Sequence, residues 1–120
     1  MAKCILLMTV IFCSTAFSKT YFYVTNGKKT RAEFFEKDGL ILSGDCKHSN
    51  CQAVQASRQK PNTPDATTGT NLLGNPAALY CSNHDAKSVI LKDAKGNEDS
   101  FCEFSDGSLV ESWGLYNKFH

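Results

Sequence analysis

The sequence predicts an α+β protein: a small N-terminal β-rich module followed by a C-terminal α-β-β-α module stapled by a disulfide. Three observations carry that reading. β-branched and aromatic runs crowd the early part of the chain and are punctuated by Asn-Gly and Asp-Gly pairs. Helix-start signals flank two further strand-like runs near the C-terminus. A polar stretch holding two prolines and two glycines, SRQKPNTPDATTGTNLLG (57–74), separates the two groups and reads as a linker.

MAKCILLMTVIFCSTAFS, residues 1–18, has the order of a secretory signal peptide: Lys3, an apolar run from Cys4 to Phe12, then small residues at Ala16 and Ser18. Cleavage is expected after Ser18. The apolar run is too short to span a bilayer as a helix. Phe12 before Cys13 does not fit a lipid-attachment signal. The expected mature chain, 19–120, has 102 residues and no second apolar run long enough to cross a membrane.

TYFYVT (20–25) is a strand, and Asn26-Gly27 signals a type I′ hairpin turn. KKTRAEFFEK (28–37) has two readings. It completes the hairpin as a strand, or it is a helix capped by Thr30 and Glu33 and stopped by Gly39. The Asn-Gly turn favours the strand. Asp38-Gly39 turns into LILS, another strand, and CQAVQAS (51–57) adds a further strand or a short helix. Residues 19–56 therefore form a β-meander closed by a loop between Cys46 and Cys51.

Beyond the linker, Asn75 is a helix N-cap and Pro76 suits the first helical position, so a short helix is expected from Ala77 to about Asp85. KSVILKD is a strand, AKGN a turn and DSFCEF the returning strand. After Asp106-Gly107, Ser108 and Glu111 form a capping box that opens a second helix over LVESWGLYNKF.

Cys4 and Cys13 leave with the signal peptide. Cys46, Cys51, Cys81 and Cys102 remain, and an even count in an exported chain implies two disulfides. Four cysteines allow three connectivities; sequence proximity favours Cys46–Cys51 and Cys81–Cys102. A module of this size buries too little apolar surface to fold without such a staple.

Charge divides along the chain. Lys19 to Lys60 holds eight Lys/Arg against four acids, and Pro61 to His120 holds four lysines against eight acids. This patterning fits two modules with complementary surfaces, or a first half that meets an anionic envelope surface. Without a basic stripe interleaved with aromatics, no nucleic-acid partner is expected.

Chemistry-bearing motifs are sparse. CKHSNC (46–51) places His48 between two cysteines, but export favours oxidised thiols, and the four-residue spacing is not that of a redox pair. His84 follows Cys81 by three residues, which suggests a Cys-His pair only if Cys81 stays reduced. Asp93, Glu98, Asp99, Glu103 and Asp106 crowd the C-terminal hairpin without the spacing of a calcium loop. No catalytic residue, metal or cofactor is expected. Tyr80, Trp113 and Tyr116 offer an aromatic contact surface for a partner, although the core of a small module is the favoured place for Trp113.

The C-terminal module resembles a known family, the small bacterial exported domain of unknown function 333, which carries a hemolysin label. The matching residues are Asn75, Pro76, Ala77, Tyr80 and Cys81, then Lys87, Asp93, Ala94 and Gly96, then Cys102, Phe104, Asp106, Gly107, Ser108, Glu111 and Trp113. Residues 19–70 carry no such resemblance. Members usually have two further cysteines, at the places of Val110 and His120. The resemblance implies that these two form a bridge of their own, leaving Cys81 and Cys102 as partners and the last helix held by packing of Trp113. The hemolysin label implies membrane damage, yet no amphipathic segment here is long enough for a pore. The expected function is that of an exported, non-enzymatic binding protein of the bacterial periplasm, envelope or medium, engaging a protein or envelope component. The alternatives are a protease-inhibitor-like protein, a membrane-active protein and a small hydrolase.

Overall fold

The computed structural model describes residues 18–62 and 75–120. Residues 1–17 of the expected signal peptide and 63–74 of the expected linker lie outside the described residues, and Ser18, the last residue of that peptide, opens β1. The elements are β1 (Ser18–Thr25), β2 (Lys28–Lys37), β3 (Leu40–Ser43), a 3-10 turn (Gly44–Cys46), α1 (Gln52–Arg58), α2 (Pro76–Tyr80), a second 3-10 turn (Cys81–His84), β4 (Lys87–Asp93), β5 (Glu98–Glu103), β6 (Leu109–Glu111) and α3 (Ser112–Lys118).

The six strands close into one antiparallel barrel in the order β1-β2-β3-β6-β5-β4. This overturns the α+β expectation of a β-rich module beside an α-β-β-α module. Each half of the chain contributes a three-stranded meander, and neither meander closes by itself. The physical reason is edge pairing. A three-stranded sheet leaves two rows of backbone N–H and C=O groups unpaired, and the two meanders satisfy each other.

The turns are set by local chemistry. Asn26-Gly27 and Asp38-Gly39 both adopt positive φ at both positions, the type I′ geometry that matches strand twist. The Asn-Gly turn forces Lys28–Lys37 back as a strand, paired with β1 from Ser18↔Phe35 to Thr25↔Lys28. The capping-box alternative for that segment is thereby removed. Residues 52–58, read as strand or helix, are helical, with the Cys51 sulfur accepting from the Val54 N–H. Asn75 caps α2 as expected, its side-chain oxygen accepting from the N–H groups of Ala77 and Ala78 at 2.9 and 3.3 Å.

The Ser108–Glu111 capping box does not form. Residues 109–111 are a strand, and α3 starts at Ser112 with Glu111 itself as the cap, accepting from the Gly114 N–H at 2.9 Å. The barrel supplies β6 with partners on both sides, Leu42 of β3 and Phe101 to Glu103 of β5. A helix beginning at Leu109 would forfeit that pairing.

Strand alternation produces two cores. Inward positions place Tyr21, Phe34, Leu91, Phe101 and Leu109 inside the barrel. Tyr21, Phe34 and Phe101 meet there with ring centroids 4.9–5.1 Å apart, and such pairs each add about 0.5–1.5 kcal/mol beyond their burial. Outward positions on β3, β5 and β6 form a second core with the helices: Leu40, Leu42, Cys102 and Val110 pack with Ala53, Val54 and Leu115. The Cys81–Cys102 disulfide ties the second 3-10 turn to β5 across a separation of 21 residues, and closing a loop of that length contributes about 3 kcal/mol. Cys46–Cys51 clasps the connection from β3 to α1.

Candidate binding surface

The barrel is closed by two seams between its halves, and they differ. At the β3–β6 seam, Leu42 faces Val110, and both are buried. Side chains seal what the short ladder leaves open. Ser43 Oγ accepts from the Leu109 N–H at 2.9 Å. Ser108 Oγ accepts from the Ala53 N–H at 3.0 Å and donates to Asp106 Oδ1 at 2.6 Å. Asp106 Oδ2 accepts from the Gln52 N–H, and Gln52 Oε1 accepts from the Asp106 N–H. Partial burial pushes the Asp106 carboxyl upward. The bonds from Ser108 and the Gln52 N–H outweigh it and hold the group below the usual aspartate range.

At the β1–β4 seam the ladder holds only Tyr21↔Asp93 and Phe22↔Lys92. β1 continues to Thr25 and β4 begins at Lys87, so the facing edges part beyond Phe22. Tyr23 occupies an inward strand position, two residues after the buried Tyr21, yet 36% of it is exposed, and among the described residues β4 does not pair with β1 at its level. Ile90 beside it is 55% exposed.

A cleft of about 350 Å³ opens inward from this gap, lined by Tyr23, Val89, Leu91, Leu109 and Glu103. A second hollow, about 550 Å³, lies outside it along Phe22, Tyr23, Ile90, Lys29, Lys92 and Lys95. Lys29 Nζ lies 4.6 Å from the Phe22 ring centroid. Asp93 is occupied by its own turn: the N–H groups of Lys95 and Asn97 donate to it at 2.9 Å, which lowers its pKa, the Asn97 bond most of all. Glu98 pairs with Lys92 at 3.8 Å and Glu103 with Lys87 at 4.0 Å.

Tyr80, Trp113 and Tyr116 come together in the structure, though not as one exposed face. Tyr80 on α2 meets Tyr116 on α3 at 5.5 Å, and Trp113 meets Tyr116 at 5.6 Å. Tyr80 is buried and Tyr116 half-buried. Trp113, weighed as core, is 40% exposed, and Leu115 and Ser112 seat the helix instead. Gly114 permits that seating, because a Cβ there would lie 3.1 Å from Leu40 Cδ2.

His48 is exposed, and Cys46 and Cys51 are bonded to each other. Burial lowers the pKa of His84, opposed by the neighbouring Asp85 charge, and its ring packs on Tyr80 and Phe119 rather than beside a free thiol. Among the described residues no group of three or more His, Cys, Asp or Glu side chains is placed to hold a metal ion. One inward polar group escaped the sequence reading. Tyr21 Oη donates to Asp99 Oδ2 at 2.9 Å inside the barrel, and burial together with that bond raises the Tyr21 pKa. Strict alternation from Leu91 and Phe101 would have pointed Asp99 inward.

The β4–β5–β6 half with its flanking helices is also where similarity to other proteins lies. Residues 73–118 match the family model described as Domain of unknown function (DUF333). The match covers 46 of the 120 residues and agrees with the resemblance read from Asn75 onward. No curated protein and no solved structure matches the chain. The DUF333 segment thus supplies three of the six strands, and residues 18–43 supply the other three. The two seams are the boundaries between them. Two bonded cysteine pairs stand among the described residues, and no helix there is long and apolar enough to cross a membrane.

Proposed function

We propose that the chain is an exported, non-enzymatic binding protein whose contact surface is the open β1–β4 seam. One observation carries the reading: Tyr23 and Ile90, large apolar side chains, stand exposed at the mouth of a cleft in the barrel wall. A barrel gains stability by closing this gap, and an apolar opening held between charged residues is what a partner surface needs. The signal-peptide pattern of residues 1–18 and the two disulfides support a periplasmic or extracellular setting. The test is retention of solubilised envelope components on the immobilised protein. Tyr23→Ser with Ile90→Ser is expected to abolish retention while leaving the unfolding midpoint within a few degrees. Retention that survives this pair of changes but is lost in Trp113→Ser would move the contact surface to α3.

A further inference from the structure

We infer that the open seam takes an extended, acidic segment of a partner protein, added as a strand along the free edge of β4; this rests on the seam being the contact surface. Three features of the gap specify the occupant. The first is the backbone. β4 pairs with β5 from Lys87 to Lys92, but among the described residues its other edge meets β1 only at Lys92 and Asp93. The edge from Lys87 to Leu91 therefore presents the N–H and C=O groups of alternate residues to the gap, and an extended chain satisfies such groups at every second residue.

The second feature is the alternation of the surroundings. An added strand points successive side chains to opposite sides. Those turned inward enter the cleft that Val89, Leu91, Leu109 and Tyr23 line together with the Lys87–Glu103 pair, where small apolar groups fit against the Val89, Leu91 and Leu109 side chains. Those turned outward meet the hollow holding Lys29, Lys92 and Lys95. The third feature is charge. Asp93 is held by its own turn and Glu98 by Lys92. Among the described residues no carboxylate lies in ion-pair range of Lys29 or Lys95. Outward carboxylates on the incoming strand complement these two ammonium groups. A flat anionic surface would meet the lysines but would leave the recessed cleft and the backbone edge unused.

Peptide binding to the purified, disulfide-bonded chain separates these alternatives. The probes are a capped octapeptide alternating valine and glutamate, its lysine counterpart, and two versions N-methylated on alternate residues in opposite phases. The glutamate peptide should bind, read by fluorescence anisotropy, with amide shifts along Lys87–Leu91. The lysine peptide should bind at least about tenfold more weakly, and so should one N-methylated phase but not the other, since only one edge of the peptide faces β4. Lys29→Glu with Lys95→Glu should weaken the glutamate peptide and strengthen the lysine peptide. Equal binding of both N-methylated phases, or binding to vesicles of phosphatidylglycerol with no peptide binding, overturns strand addition. If no peptide binds while envelope retention still requires Tyr23 and Ile90, the seam stands as a contact surface and the strand proposal fails. If retention ignores both residues, the broader reading fails as well.

Discussion

The two seams do the same topological work with opposite finish. Each joins one meander to the other. At β3–β6 a single backbone pair, Leu42↔Val110, is reinforced by Ser43, Ser108, Asp106 and Gln52 and covered on its outer face by helices. At β1–β4 there are two backbone pairs, and among the described residues the ladder ends at Phe22↔Lys92. The sealed seam is therefore a folding device, while the open one is a place where the barrel leaves its wall unfinished.

The largest effect should come from removing both seams at once. The DUF333 segment without residues 18–62 exposes one edge of β4 and one of β6, and buries none of Tyr21 or Phe34 beside Phe101. Residues 75–120 alone should show no cooperative thermal transition as a monomer, by circular dichroism with sedimentation. A sharp transition in the monomer would mean that the two halves are independent after all.

Next comes the contrast between the seams. Leu42→Ala empties a position buried on the sealed side and should cost about 2–5 kcal/mol in urea unfolding. Ile90→Ala, on the open side, should stay within about 0.5 kcal/mol, as for exposed sites away from special features. Similar costs at both positions would erase the distinction. Ser108→Ala should follow at about 1–3 kcal/mol, because the Ala53 N–H is buried and would lose its only side-chain acceptor. Ser108→Thr should not restore full stability, since an added methyl group must be accommodated at a fully buried residue.

Much of the local structure was legible. The Asn-Gly and Asp-Gly turns, KSVILKD, the Asn75-Pro76 helix start and the Cys46–Cys51 bond follow from chemistry within a few residues, and Cys81–Cys102, 21 residues apart, from being the pair that remains. Closure was not, because it depends on edges meeting across some seventy residues. Yet a signal was present. FFEKDG (34–39) and FCEFSDG (101–107) share the Phe-x-Glu spacing before an Asp-Gly turn, and in both the phenylalanine points inward. Two meanders of one plan imply one barrel more readily than two modules. Ser108 misled for the same reason. Its spacing to Glu111 is that of a capping box, but its hydroxyl is drawn instead to α1, an element the local pattern does not contain. The open seam left no local trace, since Tyr23 and Ile90 sit in ordinary strand runs and become exposed only through where β1 and β4 part.

The smallest effect is a pH dependence that tells the two sides apart. Asp106 and Asp93 both titrate below the usual aspartate value in the folded chain. A carboxyl depressed on folding contributes stability that is present above its unfolded pKa and is lost as pH falls through the folded one. Both residues therefore add to acid sensitivity below about pH 4. Their bonds differ in reach. Asp93 holds Lys95 and Asn97 within its own turn, whereas Asp106 holds the Gln52 N–H at the start of α1. Asp93→Asn and Asp106→Asn should each flatten the acid limb of the unfolding curve. Only Asp106→Asn should also speed amide exchange in Gln52–Val54 at neutral pH, because it loosens α1 from the sealed seam. Faster exchange there in Asp93→Asn would show that the open side supports the helix layer as well, and the division of labour between the seams would have to be given up.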